Sequence, residues 1–483
     1  MSVGRESEKI PLLNKIFFGS GDIFGGGAFN IINFFYAIFL TDVVGLDMVF
    51  VAPVFLIGKI WDAITDPFMG SITDRTRSRF GRRRPYFLAG IGLVFISFMI
   101  LWYPVDFDSQ AAKFLYILFA YLFFNTVVTM IMIPYQAMAA EISLDYNERT
   151  SVNSIRLLFS LVSSLACALV PMMIVNSFED IRTGYIAMSV VFGLIFSLPW
   201  IGVFAFTKER KDFSSVEANL NLKSMFVEPL KLKSFRYLLV MFLTAYLGMD
   251  IVSMIFAYYM KYYIEKPNAL PLVLGALLIV EILFIPVYAF LAKKKGKTFS
   301  FILGSFVWIV GSVAIFFVPQ NASLPVVFFL AGFVGAGVSA AAVIPHTIFG
   351  DVTDVGELAY GQRREGNFSG LITFTRKFAS GIAVALATFI LGVAGYVNPE
   401  RVVEDGVTKM IEKPQGAAVL LSIRLIIALV PVILMTFGII AAKKYPLDSE
   451  SHRRLIEYLN GKRHNEKTTM SDEEVDELKR RLI

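Results

Sequence analysis

The chain is poor in the residues on which many soluble enzymes and disulfide-rich proteins depend. Its 483 residues include a single cysteine, Cys167, so an intrachain disulfide is excluded. Only three histidines are present, and the one outside the tail, His346, is expected to pack at a helix end. The sequence motifs of serine hydrolases, zinc proteases and phosphate-binding loops are absent. Charged residues make up 17% of the chain, against about 25% in soluble domains. The composition therefore argues against an enzyme and against a water-soluble protein.

Apolar residues are abundant instead, at 56% of the chain with 46 phenylalanines. A helix needs about 20 mostly apolar residues to cross the hydrocarbon core of a bilayer. Twelve runs approach or exceed that length, which predicts an all-α integral membrane protein. The predicted spans are Ile16–Leu40, Val49–Ser71, Tyr86–Tyr103, Ala111–Ala140, Ser151–Val175, Thr183–Phe206, Tyr237–Tyr263, Leu270–Ala292, Phe299–Val318, Leu324–Phe349, Phe368–Val397 and Gly416–Ala442.

The distribution of Lys and Arg predicts the orientation of these spans. The loops after the second, sixth and eighth spans are basic, whereas the loops at residues 41–47 and 319–323 contain no basic residue. Because cytoplasmic loops carry an excess of Lys and Arg, both termini are expected in the cytoplasm. The net charge of +6 then reflects membrane topology and gives no reason to expect a nucleic-acid partner.

A polar cytoplasmic loop, residues 207–236, divides the chain into an N-terminal half (1–206) and a C-terminal half (237–442). Basic turns containing Gly81 and Gly296 occupy the same topological position in the two halves, as expected for a weak internal repeat. The charged tail, residues 443–483, is expected to be solvated and to have no role in transport. One short surface helix is predicted within it, at Ser471–Leu482, because Ser471 and Glu474 form a capping pattern.

Two aspartates, Asp62 and Asp66, interrupt the apolar second span. Residues four apart share a helix face, with Cβ atoms about 5–6 Å apart. A charge at bilayer depth costs about 2.5–3.5 kcal/mol on insertion scales. Two like charges this close cannot both stay ionised without a cation or a basic group between them. The spacing predicts either a cation site, whose oxygen ligands suit a hard ion, or a structural pair neutralised by a basic residue of a neighbouring helix.

The sequence around these acids resembles one transporter family. Residues 59–85, KIWDAITDPFMGSITDRTRSRFGRRRP, look like the second helix and following loop of the glycoside–pentoside–hexuronide:cation symporters, the melibiose permease-like branch of the major facilitator superfamily. The strings TDVVGL at 41–46 and GDVTDVGELAYGQRREGNFSG at 350–370 agree in order, so the resemblance extends over nearly the whole chain.

The resemblance implies a twelve-helix bundle of two pseudo-symmetric six-helix halves in a bacterial-type inner membrane. It further implies cation-coupled symport, by alternating access, of a sugar, glycoside or hexuronide. The coupling cation would be Na⁺, or else Li⁺ or H⁺, with no organic cofactor and a monomeric carrier.

Specific residues take roles from the resemblance. Asp62 and Asp66 become cation ligands, and Thr129 matches the hydroxyl ligand of the family, although ordinary helix packing would also explain a threonine there. Arg156 and Lys377 match basic positions of the cavity, with snorkelling to the interface as the alternative. The expected substrate-binding residues are Asp22, Asn30, Asn33, Asn125, Gln136, Arg156 and Lys377. For the asparagines, hydrogen bonding between helices is the alternative.

The sequence also departs from the melibiose pattern. Gly26 and Met132 stand where acids that bind galactosides are expected. Without those acids, Arg156 and Lys377 would leave the cavity positive, which favours a carboxylated sugar. A transporter of lysolipids or of another organic solute is an alternative, because eukaryotic lysolipid carriers resemble this family. A membrane sensor that transports nothing is a further alternative.

Charged residues at the cytoplasmic ends of the spans are predicted to form gates. Exposed ion pairs are worth only about 0–1 kcal/mol each, so several would be needed to hold a gate closed. The residues predicted to do so are Asp74, Arg75, Arg82, Arg83, Glu141, Arg149, Asp351, Asp354 and Arg363.

Overall fold

The computed structural model describes residues 9–143, 146–209, 227–361, 365–404, 407–464, 470 and 472–483. Within these residues, 12 helical stretches are long and apolar enough to cross a membrane, which confirms the predicted spans. The chain forms two compact units, each described separately below.

The first unit contains the N-terminal helices, together with residues 270–275 and 384–420. Its helices are α1 (Leu12–Ser20), α2 (Asp22–Asp42), α3 (Met48–Arg75), α4 (Arg84–Leu101), α5 (Gln110–Glu141), α6 (Tyr146–Val175), α7 (Ile181–Ser197) and α8 (Pro199–Phe206). The closest helix pairs are α2 with α6, α3 with α5, and α4 with α5 and α7. Large aromatic side chains fill the space between them. Trp200, for example, is fully buried against Phe87, Tyr135 and Phe24.

The second unit contains most of the C-terminal half and the tail. Its helices are α9 (Glu228–Lys231), α10 (Lys233–Tyr258), α11 (Leu270–Lys295, beyond residue 275), α12 (Lys297–Phe316), α13 (Leu324–Tyr360), α14 (Glu365–Val393, up to residue 383), α15 (Ala417–Lys443, from residue 421), α16 (Ser449–His464) and α17 (Asp472–Leu482). Helix α13 packs against α12 and α10, around the fully buried Trp308.

Four local features were not predicted. The first span divides at Gly21, immediately before Asp22, and the sixth divides before Pro199, whose ring cannot continue the preceding hydrogen-bond ladder. The seventh span ends in a π-helical turn, Tyr259–Tyr263. A two-stranded antiparallel hairpin, β1 (Glu400–Glu404) and β2 (Val407–Ile411), lies between α14 and α15.

The basic turns of the two halves share a backbone feature that supports the predicted repeat. Gly81 has φ +110° and Gly296 has φ +95°, a region that residues with a Cβ rarely adopt. Gly296 lies immediately before α12, and Gly81 lies shortly before α4, which begins at Arg84.

The tail is not solvated along its length, contrary to the prediction. It contains α16 in addition to the predicted helix α17, and both pack on α13. Leu455, Leu459 and Leu482 are buried. The pairing of Arg481 with Asp448 at 2.9 Å joins the two tail helices. Helices α16 and α17 are amphipathic, and the apolar face that carries these leucines attaches the tail to the second unit.

Candidate cation and substrate site

The contact between α3 and α5 brings the predicted cation residues together. Trp61 Nε1 donates a hydrogen bond to Thr126 Oγ1 at 2.8 Å. One turn further along both helices, Thr129 Oγ1 donates to Asp66 Oδ1, also at 2.8 Å. The interpretation of Thr129 as a packing residue alone does not account for this directed hydrogen bond to a carboxylate.

Asp62 lies one turn before Asp66 on α3 and is only 3% exposed. Between them, the carbonyl of Ala63 lacks its usual helical donor, because residue 67 is a proline without an N–H. Helix α3 nevertheless continues to Arg75. Two carboxylates, a hydroxyl and a backbone carbonyl thus supply oxygen atoms along one part of the α3–α5 contact.

This donor set suits a hard cation such as Na⁺, Li⁺ or H⁺ rather than a transition metal. Among the residues that the structure describes, no group of three or more His, Cys, Asp or Glu side chains is placed to hold a metal ion. The candidate cation site is therefore defined here as Asp62, Asp66 and Thr129.

Gly58 allows α3 and α5 to approach this closely. A Cβ at Gly58 would lie 2.2 Å from the ring of Tyr121 and 3.1 Å from Nδ2 of Asn125. Asn125 is buried, and its Nδ2 has no hydrogen-bond partner among the described residues. It was predicted to belong to the substrate residues, but the structure places it against α3, one turn before Thr129.

Sequence reasoning overlooked Lys59, which lies three residues before Asp62 on α3. Its ammonium group is 5.8 Å from the ring centroid of Phe29 on α2. The signal was present in the sequence, because Lys59 is a third charge within the same apolar span. The positive charge of Lys59 lies on the same helix as Asp62 and Asp66. The net charge of this part of α3 therefore depends on whether a cation is bound at the candidate site.

Asp22 and Arg156 form a second buried pair, between α2 and α6. Arg156 Nε donates to Asp22 Oδ2 at 2.7 Å, and the two side chains are 15% and 14% exposed. The guanidinium group stacks over Tyr135 at 4.6 Å, and the Tyr135 hydroxyl donates to the Phe18 carbonyl at 2.7 Å. The guanidinium group of Arg156 is therefore held by contacts within the first unit. Because Asp22 balances its charge, the expectation of a positive cavity at Arg156 loses its basis.

The other predicted substrate residues lie apart from this pair. Asn30 and Asn33 are partly exposed on α2, and Gln136 is exposed on α5. These three side chains make no hydrogen bond within the described part of the chain, so their polar groups are available to a ligand. Lys377 is partly exposed on α14, next to Arg376, in the second unit.

Four of the predicted gating residues meet at the cytoplasmic end of the first unit. Arg83 pairs with Glu141 at 2.6 Å and with Asp74 at 3.4 Å, and Arg82 pairs with Glu141 at 3.2 Å. Sequence reasoning missed Glu209, whose carboxylate accepts the backbone N–H groups of residues 82, 83 and 84 at 2.7–2.9 Å. Backbone N–H groups at a helix start form a favourable site for an anion.

In the second unit, Asp351 pairs with Lys297 at 2.7 Å, and His452 of the tail lies 3.2 Å from Asp354. Arg75 and Arg149 form no salt bridge among the described residues, and their role in a gate stays a prediction. Arg363 lies outside the described residues.

Comparisons with known proteins agree with the fold and with the resemblance. The sequence model of the family described as MFS/sugar transport protein matches residues 17–449. The sodium-dependent lysophosphatidylcholine symporter 1-B of Danio rerio is 25% identical over 93% of this chain and 90% of its own length. The isoprimeverose transporter of Lactiplantibacillus pentosus is also 25% identical, over 80% of this chain and 81% of its own.

A crystal structure of a bacterial homologue of the human lysosomal transporter Spinster, in an inward-facing and occupied conformation, is similar with a TM-score of 0.63. The match covers 89% of this protein and 96% of the Spinster homologue, and because the two are only 12% identical it supports the fold alone. The match over most of the sequence, together with the twelve spans, shows that this chain belongs to the MFS/sugar transport protein family and is a multi-pass membrane transporter, not an enzyme.

Proposed function

We propose that this chain is a secondary active symporter that couples the movement of a monovalent cation to that of a sugar, glycoside or hexuronide. The observation that carries this proposal is the contact of Thr129 with Asp66, one turn from the buried Asp62. These groups offer oxygen ligands from two helices at one place, and two carboxylates one turn apart favour a positive ion beside them.

Coupling follows from the cost of two acids, the buried Asp62 and the partly exposed Asp66, one turn apart on a membrane-spanning helix. Without a cation, repulsion between the carboxylates opposes the ionised pair, and with a cation bound that repulsion is offset. Substrate binding is then favoured in the cation-loaded state, and only the fully loaded or empty carrier changes its access readily. A membrane potential of about 100 mV contributes about 2.3 kcal/mol for each charge that moves across the membrane.

For the solute, a carbohydrate is supported by the hydrogen-bonding groups of the first unit. The carboxylate of Asp22 and the guanidinium of Arg156 are fixed by their mutual bond at 2.7 Å, and the polar Asn30, Asn33 and Gln136 side chains are available. Sugar hydroxyls both donate and accept hydrogen bonds, so they match a paired acid and base together with amides. The named sugar transporter among the relatives supports the same class.

The test begins with the purified protein and a thermal-shift screen of sugars, glycosides and uronates, with Na⁺ or choline as the only cation. A stabilising solute is then followed into proteoliposomes with a Na⁺, Li⁺ or H⁺ gradient. Asp62→Asn and Asp66→Asn are expected to abolish gradient-driven accumulation and to preserve the fold. Asp47→Asn, which removes an exposed acid immediately before α3, serves as the control. Accumulation at the normal level in either Asn variant would contradict the proposal.

A second candidate solute is a lysophospholipid, because relatives of similar identity over more than nine-tenths of this chain are named sodium-dependent lysophosphatidylcholine symporters. This alternative shares the cation site and differs only in the solute. Including lysophosphatidylcholine in the same screen distinguishes the two, since stabilisation by the lipid and by none of the carbohydrates would favour it.

A further inference from the structure

Three side chains that the cation site does not use meet on the second unit. Tyr246 on α10 and His346 on α13 share a hydrogen bond of 2.7 Å between the phenol oxygen and Nε2. The guanidinium group of Arg376, on α14, lies over the Tyr246 ring at 4.4 Å. The ring of Phe242 stacks on Tyr246 at 4.7 Å and meets His346 edge-on at 4.9 Å. We call Tyr246, His346 and Arg376 the tyrosine–arginine cluster.

Arg376 lacks an ionic partner in this cluster. It forms no salt bridge among the described residues, and its Nε is buried without a hydrogen-bond partner there. An arginine within a membrane span is costly and is normally paired or functional. A guanidinium group offers five N–H donors in a planar fork that matches carboxylate and phosphate oxygens. The missing partner is therefore an anionic oxygen group.

The position of Arg376 is fixed by a second contact between the same two helices. Ser380 Oγ, one turn after Arg376 on α14, donates to Asp250 Oδ2 at 2.6 Å, and Asp250 lies one turn after Tyr246 on α10. Asp250 and Glu281 are the acidic neighbours in the electrostatic surroundings of Tyr246. The carboxylate of Asp250 is committed to Ser380, so it sets the register of the helices and leaves the fork of Arg376 for a ligand.

The cluster is also accessible. His346 is exposed, and Tyr246 and Arg376 are partly exposed, although all three lie within membrane-spanning helices. His346 packs against Phe242 as expected, but it lies inside α13 and not at its end, and its ring is also hydrogen-bonded to Tyr246. An exposed polar group at this depth is unfavourable against lipid and favourable against a polar ligand.

We propose that the tyrosine–arginine cluster binds an anionic oxygen group of the transported solute, with Arg376 as the principal donor and with Tyr246 and His346 orienting it. Both a uronate carboxylate and the phosphate of a lysophospholipid have this chemistry. The inference rests on the proposed transport function and narrows its solute to one that carries an anionic group.

The test measures binding to the purified full-length protein in nanodiscs, in matched buffers with Na⁺ or choline as the cation and without a gradient. Methyl β-D-glucuronide is compared with the neutral methyl β-D-glucoside, and lysophosphatidylcholine with an uncharged monoacylglycerol of the same chain length. In one pair, Arg376→Gln is expected to weaken binding of the member that carries the carboxylate or phosphate group at least tenfold and to change binding of the member without that group less than twofold. Arg376→Lys keeps the positive charge and loses the planar fork, so its affinity for the same probe should lie between those of the wild type and Arg376→Gln.

Arg424→Gln provides the matched control. Arg424 also lies in a membrane helix of the second unit, stacks on the rings of Tyr263 and Phe316, and has a buried Nε without a hydrogen-bond partner among the described residues. It differs from Arg376 in that its fork already donates to a protein oxygen, the Phe316 carbonyl, at 2.6 Å. Its replacement should leave the anionic preference unchanged. Equal losses for the charged and neutral probes in Arg376→Gln, the same loss in Arg424→Gln, or no binding of either anionic probe to the wild type would each overturn the inference.

These outcomes are separable from failure of the proposed coupling. If Asp62→Asn removes the Na⁺ dependence of binding and Arg376→Gln has no effect, only the anionic subsite is refuted. If Arg376→Gln acts as expected while Asp62→Asn retains full Na⁺ dependence, the subsite stands and the proposed coupling site does not.

Discussion

Replacing Thr129 by valine removes the hydroxyl from the candidate cation site and retains the branched shape of the side chain. In the structure this hydroxyl donates to the Asp66 carboxylate at 2.8 Å. Hydrogen bonds to charged groups contribute about 1.5–3 kcal/mol. If the same oxygen helps to hold the cation, Thr129→Val should weaken Na⁺ binding by about 10- to 150-fold.

Thr126→Val is the matched control, because Thr126 lies one turn earlier on α5 and also bonds α3 at 2.8 Å. Its partner is the uncharged indole of Trp61, so its loss removes an interhelical hydrogen bond of about 0.5–1.5 kcal/mol and no cation ligand. We expect a modest decrease in thermal stability and a change in Na⁺ affinity of less than about threefold.

The assay is a Na⁺ titration of thermal stability and of ²²Na⁺ binding to each purified variant, with choline chloride holding the ionic strength constant. Unaltered Na⁺ affinity in Thr129→Val would refute the role of Thr129 as a ligand. An equal loss in both variants would mean that the α3–α5 contact, and not the Thr129 oxygen, controls binding.

Three further outcomes follow from the geometry. Gly58→Ala should destabilise the protein by about 1–3 kcal/mol and weaken Na⁺ binding, because the added Cβ would lie 2.2 Å from the ring of Tyr121. Gly70→Ala on the same helix is the control, because its added Cβ would meet only one atom, at 4.0 Å. This control should be tolerated in both assays. Asp22→Asn leaves the charge of Arg156 without its partner and should lower the free energy of unfolding by about 3 kcal/mol. Most of that loss should be recovered in the double variant with Arg156→Gln. Full stability of the single variant would refute the pairing of the two charges. The pKa of Asp448 is lowered from 3.8, first by the hydrogen bond from the backbone of residue 451 and further by its arginine partner. The lowered pKa in the folded state stabilises the tail at pH values above the unfolded pKa, and this stabilisation is lost as pH falls through the folded pKa. Protection of residues 449–464 against hydrogen exchange, corrected for the intrinsic rate at each pH, should therefore fall below about pH 4 in the wild type. A fall of equal size in Asp448→Asn would contradict this origin.

Much of the architecture could be predicted from the amino-acid sequence alone. Membrane spans follow from length and hydropathy alone, because a helix in lipid must satisfy its own backbone and expose apolar side chains. The breaks at Gly21 and before Pro199 were harder to predict, since apolar composition continues across both positions. The docking of α16 and α17 was also missed, because their buried leucines are spaced among charged residues and their apolar face has a partner only after folding.

The acid pair of the candidate site could be read from the sequence because its two members lie one turn apart on a single helix, where local geometry fixes their distance. The partners contributed by other helices could not be fixed in this way. Whether Asn125 belonged with Asp22 or with Asp62 depended on how α5 is rotated against α3, and the small Gly58 decided that approach.

The sequence by itself determined that this protein spans a membrane twelve times and carries acids at a depth where charge is expensive, because both properties depend on composition and on spacing along one helix. Only the tertiary structure decided that Asp22 balances Arg156 and that Tyr246, His346 and Arg376 meet, because side chains from helices far apart in sequence become neighbours only through packing.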